Sequence, residues 1–258
     1  MEIMTISRTF RLVWVLLFSV FLLQPVTAQV NPLGEVPDAN LEPTPALEEA
    51  GARIEYDPWE PYNVWMFDFN VGFDRYVLKP VAKGYDFIVP TPVQKGIRNA
   101  ADNLDVVRKV VNNSLQGKFI GAGKELSRFV INSTIGLAGL FDVAKEMGID
   151  PADQDMGITL GFYGVGQGPY LVVPILPPTT VRDGVGFVAD LVMHPLFWLP
   201  PFYVPLGITI HETINNRALS LGTIEKLEES SIDFYGAVRN AYLEVRAQKV
   251  KEARAGTQ

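Results

Sequence analysis

Residues 191–210 read LVMHPLFWLPPFYVPLGITI, a stretch without any Asp, Glu, Lys or Arg. Its length and polarity match a transmembrane helix, which needs about 20 apolar residues. Four prolines, at positions 195, 200, 201 and 205, contradict that interpretation, because a proline inside a helix removes a backbone hydrogen bond and costs about 3 kcal/mol. Lipid offers no replacement partner for the freed carbonyl groups. The stretch is therefore either buried in a protein core or immersed in a membrane that it does not cross.

Helices are predicted on both sides of this stretch. Thr180-Val181-Arg182-Asp183 is a capping-box pattern that opens a helix running to Met193. Apolar residues recur at helical spacing from Ile210 to Leu227 and again from Phe234 to Val245. We expect residues 246–258 to form a flexible C-terminal tail.

The first helix is predicted to start at Asp57-Pro58-Trp59-Glu60, with Asp at the N-cap, Pro at N1 and Glu at N3. It leads into a run rich in aromatic residues, Tyr62–Tyr76. Steps of three and four between apolar residues predict one helix over Thr91–Leu115, with Gly117 as its C-cap. A shorter helix is expected over Gly123–Ile131.

Strand signals are few. Tyr170–Val173 is a β-like run that ends before Pro174, and no alternating pattern recurs elsewhere. The predicted fold class is therefore all-α, with proline-rich corners and at most a short β-hairpin.

The N-terminus has the pattern of a secretory signal peptide over residues 1–28. A short basic region precedes the apolar core Leu12–Leu23, and Val26-Thr27-Ala28 offers small residues for cleavage. An uncleaved N-terminal anchor is the alternative. Residues 29–54 are rich in proline and acidic residues and lack aromatic ones, which predicts a disordered linker. The helical domain is then expected to cover residues 55–245.

Composition argues against several classes of function. The net charge of −7 disfavours nucleic-acid binding, which requires a basic surface, and disfavours attraction to anionic lipid by charge alone. The chain has no cysteine, which excludes disulfides, thiolate metal sites and cysteine nucleophiles. Its two histidines, His194 and His211, belong to no HExxH or GxSxG motif. We therefore predict no enzyme activity, no catalytic residue, no metal site and no cofactor.

Four glycines, Gly161, Gly164, Gly166 and Gly168, lie within GFYGVGQGPY (161–170). This segment lacks the GK[ST] ending of a phosphate-binding loop. We interpret it as a tight turn whose backbone closely approaches either another helix or a ligand.

Several longer motifs follow one another in a fixed order along the chain. They are DPWEPYNVWMFDFN (57–70), DRYVLKPVAKGY (74–85), GIRNAADNL (96–104), NNSLQGK (112–118), RFVINSTIGLAGLFDVA (128–144), ITLGFYGVGQGPYLVVP (158–174) and TTVRDGVG (179–186). Together they resemble the MlaA/VacJ family of bacterial outer-membrane proteins over about residues 55–245. The resemblance implies a ring-like assembly of amphipathic interfacial helices around an amphipathic channel.

The resemblance also implies a function and a set of partners. The protein would remove mislocalised phospholipid from the outer leaflet of the outer membrane and pass it to a soluble periplasmic lipid carrier (MlaC-like), in association with trimeric outer-membrane porins. No nucleic acid is involved. The implied localisation is the periplasmic face of the outer membrane, after export by the signal peptide.

One feature departs from the family pattern. Family members usually carry a lipid-modified cysteine after the signal, whereas this chain has none, so we expect burial of apolar surface alone to hold it in the membrane. The alternative is a soluble periplasmic lipid-binding or scaffold protein with the apolar stretch as its core.

The resemblance suggests three groups of site residues. Polar residues on otherwise apolar helices are predicted to line the lipid channel: Asn70, Asp74, Asn103, Asn132 and Asp183. The glycine turn at 161–168 is predicted to gate the opening, because glycine permits hinge-like backbone changes. Aromatic and apolar side chains from the central stretch are predicted to contact the membrane: Leu196, Phe197, Trp198, Phe202 and Tyr203.

Overall fold

Helices make up most of the computed structural model, which describes residues 57–198, 201 and 203–256. The predicted signal peptide, the predicted linker and Phe202 lie outside these ranges. The first half of the fold consists of α1 (Glu60–Phe73), a π-helical turn (Asp74–Leu78), α2 (Lys79–Ile88), α3 (Thr91–Leu104), α4 (Val106–Leu115), α5 (Phe119–Thr134), α6 (Val143–Glu146) and α7 (Met156–Phe162). The second half consists of β1 (Tyr170–Leu171), β2 (Thr179–Thr180), α8 (Val181–Met193), a 3-10 helix (Pro195–Trp198), α9 (Tyr203–Leu219), α10 (Thr223–Ser230) and α11 (Phe234–Ala255).

The two strands form a short antiparallel hairpin, with Tyr170 opposite Thr180 and Leu171 opposite Thr179. The prediction of a helical fold with at most a short β-hairpin is thus confirmed. Asn63 of α1 fastens this hairpin, because its side chain donates to the Tyr170 carbonyl oxygen at 3.0 Å and accepts from the backbone amide two residues later at 2.9 Å. It satisfies backbone groups that strands of two residues leave unpaired.

Capping signals in the sequence set several helix ends. The Thr180 hydroxyl accepts a hydrogen bond from the Asp183 amide and caps α8, as predicted. Asp142 and Asp155 cap α6 and α7 in the same way. Gly117 follows α4 with a left-handed φ of 71°, the conformation of a glycine that ends a helix.

The prediction of one helix over Thr91–Leu115 was wrong. The chain leaves helical geometry at Asp105, which ends α3 and begins α4. Aspartate has a low preference for helix interiors, and the Asp105 carboxylate here accepts a hydrogen bond from the Arg108 side chain at 2.8 Å and does not cap α4. The apolar run from Ile210 to Leu227 is also divided, because Gly222 adopts a φ of 84° between α9 and α10.

Three other boundaries differ from the prediction. α1 begins at Glu60 with Trp59 at its N-cap, because Asp57 lies before the helix and accepts hydrogen bonds from the Trp59 amide and the Asn63 side chain. α5 is longer than expected at both ends. The tail predicted to be flexible from residue 246 is helical through Ala255, and its Val250 side chain is buried. Periodic burial continues along α11, so this segment is part of the fold.

The apolar stretch at 191–210 is divided among three elements. α8 ends at Met193, a 3-10 helix covers Pro195–Trp198, and α9 begins at Tyr203. Pro205 lies in the first turn of α9, where a proline removes no helical hydrogen bond. Within the part of the chain that the structure describes, no helix combines the length and the apolar composition that a membrane crossing requires.

The interior contains more polar than apolar side chains. Among the described residues, 21 polar or charged side chains are buried, against 14 hydrophobic ones. The apolar ones form two small clusters, around Phe67 and Tyr235 and around Ile158 and Val250. Hydrogen bonds and ion pairs must therefore supply much of the contact between the helices.

Glycines let α7, α8 and α11 approach one another at their backbones. A Cβ atom on Gly186 of α8 would lie 2.3 Å from the backbone nitrogen of Gly157 in α7. A Cβ atom on Gly161 would lie 2.6 Å from a methyl carbon of Val250 in α11. These separations leave no room for a side chain, so the three helices can pack in this arrangement only with glycine at these positions.

We predict that Gly186→Ala lowers the melting temperature, because the added methyl group would force α7 and α8 apart at a cost of about 1–3 kcal/mol. Gly184→Ala on the same helix is the matched control: its Cβ would meet nothing closer than 3.8 Å, and alanine favours a helix by about 1 kcal/mol over glycine. Thermal unfolding followed by circular dichroism measures both. Equal melting temperatures for the two variants would contradict the close approach.

Candidate functional site

A polar cavity of about 370 Å³ lies among α3, α4, α5, α6 and the segment that precedes α7. Most of its lining side chains are charged or carry amide groups. They are Arg98, Asn99, Asp102, Asn103, Lys109, Glu125, Arg128, Asn132, Asp142, Lys145 and Asp153, together with the apolar Val106, Phe129 and Pro151. The volume is within the range of small-ligand pockets, about 300–1,000 Å³.

Three of the four cations in the cavity lining have no ion-pair partner among the described residues. Arg128 is paired, because its guanidinium donates to both carboxylate oxygens of Asp142, at 3.0 and 2.9 Å. In contrast, no carboxylate of the described residues lies within 4.0 Å of the charged nitrogens of Arg98, Lys109 or Lys145. The Lys109 ammonium donates one hydrogen bond, to the Asp102 backbone carbonyl at 3.1 Å. Lys109 is buried beside this carbonyl, whereas Arg98 and Lys145 are more exposed. All three positive groups can attract a negatively charged ligand into the cavity.

The carboxylates of the cavity differ in their surroundings. Burial alone would raise the pKa of Asp142, but hydrogen bonds from Asn132 and Arg128 hold it below its usual value. Desolvation inside the cavity raises the pKa of Asp102 to about 6, although the nearby charge of Lys109 acts in the opposite direction. Asp102 therefore differs from Asp142, because no hydrogen bond from the described residues stabilises its charged form.

Two of the five predicted channel residues lie in the wall of this cavity. Asn103 donates to the Ser133 hydroxyl at 2.9 Å, which joins α3 to α5. Asn132 donates to Asp142 at 2.8 Å and accepts from the Ala144 amide at 2.9 Å. Both side chains hold the wall in place and present their polar edges near the cavity. Their role in a lipid channel stays a prediction.

The other three predicted channel residues lie outside the cavity lining. Asn70 binds the backbone that follows the hairpin, donating to the Val173 carbonyl at 2.9 Å and accepting from the Ile175 amide at 2.7 Å. Asp74 accepts two hydrogen bonds from Arg217 of α9, at 2.7 and 2.9 Å. These contacts fasten α1 and the π-helical turn to their neighbours.

Asp183 belongs to a buried ion network between α7, α8 and α11. Its carboxylate accepts from Arg182 at 2.9 Å, from Arg246 at 2.8 Å and from the Tyr242 hydroxyl at 2.8 Å. Arg246 also donates to both oxygens of Asp155, at 2.6 and 2.9 Å. Burial alone would raise the pKa of Asp155, but the hydrogen bonds and charge of Arg246 bring it down to about 2. The network joins the same three helices that the glycines bring together.

The predicted gating glycines do not share one environment. Gly161 is part of α7 and packs against α11, so at this position the close approach is to another helix. Gly164 and Gly168 adopt left-handed φ values of 96° and 68°. No atom lies within 4 Å of a Cβ built on Gly164 or on Gly166, which leaves open space at the turn. A gating function for this turn stays a prediction.

The predicted membrane-contact residues divide by burial. Trp198 and Tyr203 are exposed, Phe197 is half-buried, and Phe202 lies outside the described residues. Leu196 is buried and offers little surface to lipid; the membrane contact of this group stays a prediction. Successive side chains of a 3-10 helix point about 120° apart, and the residues of Pro195–Trp198 therefore cannot all face the same way.

The exterior carries many large apolar side chains. Among the described residues, 34 large hydrophobic side chains are exposed. The most exposed include two pairs at helix ends, Phe87 with Ile88 and Phe119 with Ile120, at 73–91%. Adjacent exposed apolar side chains such as these pairs are typical of a surface that contacts protein or lipid. Each pair consists of adjacent apolar residues at the end of an otherwise amphipathic helix, a signal that periodicity alone does not reveal.

Comparison with known proteins identifies the family. The family model for MlaA lipoprotein matches residues 55–249. The chain belongs to the MlaA lipoprotein family. It is 36% identical over 207 residues to the intermembrane phospholipid transport system lipoprotein MlaA of Haemophilus influenzae, covering 77% of this chain and 80% of that protein. The protein of the same name from Escherichia coli is 36% identical over 194 residues, covering 73% and 76%.

A solved structure supports the same assignment. Reported as "Structural basis for maintenance of bacterial outer membrane lipid asymmetry", it superposes with a TM-score of 0.68 at 36% identity and covers 76% of this chain and 99% of that chain. The predicted resemblance to the MlaA family is thus confirmed. The matched range runs from α1 into α11, so the cavity and most of the apolar exterior lie within the MlaA domain.

We predict that Asp155→Asn lowers the free energy of unfolding by about 3 kcal/mol, because it removes half of the charge that balances the buried Arg246. Since the pKa of Asp155 falls from 3.8 to about 2 on folding, its contribution is present above about pH 4 and is lost between about pH 4 and pH 2.

Denaturant unfolding between pH 2 and pH 7 measures this effect. The control is Asp68→Asn, which removes the same charge from an exposed position of α1. A variant as stable as this control at neutral pH would contradict the importance of the network.

Proposed function

We propose that this chain maintains the lipid asymmetry of the outer membrane: it removes mislocalised phospholipid from the outer leaflet and passes it to a soluble periplasmic carrier. The observation that supports this most strongly is the combination of an apolar exterior with a polar interior that contains a charged cavity. A protein with this distribution can lie in the acyl-chain region while it offers a polar environment to a headgroup.

The apolar exterior supports residence in the membrane. Transfer of apolar surface out of water is favourable by about 25 cal/mol per Å², whereas the net charge of −7 gives no attraction to anionic lipid. None of the described helices is long and apolar enough to cross a bilayer, and several of them, such as α2, α3 and α4, are amphipathic, which suits helices that lie in the interface plane. The packing also suits lipid, because helices in a bilayer associate through small residues and interhelical hydrogen bonds.

Passage of a phospholipid requires a polar environment for its headgroup. An unpaired charge in hydrocarbon is costly. A headgroup therefore crosses the apolar region of the membrane more readily where charged side chains contact it in place of its hydration water. The cavity provides such side chains within a body whose outer surface is apolar. The acyl chains would remain against that surface.

The relatives support the same class of function. Two of them are named as lipoproteins of an intermembrane phospholipid transport system. By resemblance to this family, trimeric porins and a soluble lipid carrier are the proposed partners, and the periplasmic face of the outer membrane is the proposed location. Transport of this kind makes and breaks no covalent bond, and no enzyme activity is proposed.

We predict that deletion of the gene raises the amount of phosphatidylethanolamine on the cell surface, measured with an amine reagent that does not cross the membrane. Restoring the wild-type gene should lower it again. Asn99→Trp, which places a large side chain in the cavity lining, should fail to do so.

Ser127→Trp is the control, since Ser127 is exposed on α5 and lies outside the lining. Unchanged surface lipid in the deletion strain would contradict the proposed function. Full rescue by Asn99→Trp would contradict the cavity as the route. Recovery of the protein from cells wholly in the soluble periplasm would favour a soluble lipid-binding or scaffold protein instead.

A further inference from the structure

We propose that the cavity binds a zwitterionic headgroup, a phosphodiester that carries a primary amine, with Arg98, Lys109 and Lys145 around the phosphate and Asp102 against the ammonium. This inference rests on the proposed function and names the chemical class of lipid that the site takes. It concerns charged side chains that come from three separate elements.

The cations are positioned for an anion. Arg98 lies on α3, Lys109 on α4 and Lys145 on α6, so three helices each contribute one positive group to the same cavity. None of the three has an ion-pair partner among the described residues, whereas Arg128 in the same wall is fully engaged by Asp142. A phosphate accepts hydrogen bonds from several such donors at once. The cavity therefore has three positive groups without an ion-pair partner among the described residues, and two of them, Lys109 and Arg98, also act on the nearby Asp102.

Asp102 supplies the complementary charge. None of the hydrogen bonds and ion pairs among the described residues involves its carboxylate, and Asp102 lines the cavity with Lys109 and Arg98, whose charges act on it. Glu125 is the other unpaired acid of the lining, but it is 4% exposed and already accepts a hydrogen bond from the Ala152 amide. Asp102 is thus the acceptor that remains open to a ligand amine. A simple anion would leave it without a partner and repel it.

The rim of the cavity suits a lipid better than a free metabolite. Phe129 lines the cavity and is itself 36% exposed. The segment that follows α5 exposes Leu137, Leu140 and Phe141, and its Leu140 carbonyl accepts from Asn99 in the cavity lining at 3.2 Å. Apolar surface therefore begins where the polar lining ends. A ligand with its headgroup inside would have its acyl chains on this rim.

The test measures binding to the full chain held in an amphipathic polymer at about pH 8, where Asp102 is ionised. The probes are dihexanoyl-phosphatidylethanolamine, dihexanoyl-phosphatidylglycerol and soluble glycerophosphoethanolamine, each titrated by calorimetry. We expect the ethanolamine lipid to bind at least about fivefold more tightly than the glycerol lipid, and about tenfold more tightly than the soluble compound.

Variants of the cavity residues show which side chain binds the amine and which bind the phosphate. Asp102→Asn should bring the two lipids to within about twofold of each other, and Asp102→Glu should restore the preference. Arg98→Gln and Lys145→Gln, the second at an exposed residue, should lower the affinities for both lipids by similar factors. Asp68→Asn on α1 is the charge-matched control and should change neither affinity. Circular dichroism confirms that each variant is folded.

Three results would overturn the inference: equal affinities for the two lipids in the wild type, an unchanged preference in Asp102→Asn, or unchanged affinities in Arg98→Gln and Lys145→Gln. Equal binding of the lipid and the soluble compound would show that the site takes a free phosphodiester. If gene deletion still raises surface phospholipid when one of these outcomes is found, the proposed function stands and only the proposed class of headgroup is rejected.

Discussion

The fold depends on hydrogen bonding of polar side chains that it removes from water. A buried polar group without a partner costs about 1–3 kcal/mol, and a buried unpaired charge costs more. Here a chain of contacts runs from Gln116 to Thr159 at 2.8 Å, from Thr159 to Asn112 at 2.7 Å and from Asn112 to Asp190 at 2.9 Å. These bonds have definite geometry, so they fix how the helices meet in a way that apolar contact does not.

The same constraint explains the distribution of residues over the molecule. Amides, carboxylates and guanidinium groups fill much of the interior and leave few positions there for large apolar side chains. Most of the large apolar side chains therefore lie on the outside. In water that arrangement would favour aggregation, whereas in the proposed bilayer location acyl chains would cover the exterior and polar contacts would hold the helices together. Glycines such as Gly157 and Gly186 complete this pattern, because they let the backbones come close enough for the polar side chains to reach one another.

Local signals in the sequence predicted the starts of α3 and α8, and the longer motifs predicted the family, because both depend on neighbouring residues. The same signals placed the starts of α1 and α5 wrongly. The stretch 191–210 was correctly expected not to form one spanning helix, since proline chemistry is local. The site was less predictable. Asn103 and Asn132 meet at one cavity, but Asn70 and Asp183 hold other parts of the fold together. Contacts between elements far apart in the chain decide which polar residues face a cavity. The spacing of residues along the sequence does not predict these contacts.

Nitroxide accessibility tests most directly whether lipid covers the exterior. The chain has no native cysteine, so single cysteines at Phe87, Ile120 and Glu229 can each be labelled without background. In a reconstituted bilayer, labels at the first two positions should relax strongly with oxygen and weakly with a water-soluble nickel chelate, as expected for acyl-chain contact. The label at Glu229, an exposed acidic residue of α10, should show the reverse. High nickel accessibility at Phe87 and Ile120, equal to that at Glu229, would contradict the account.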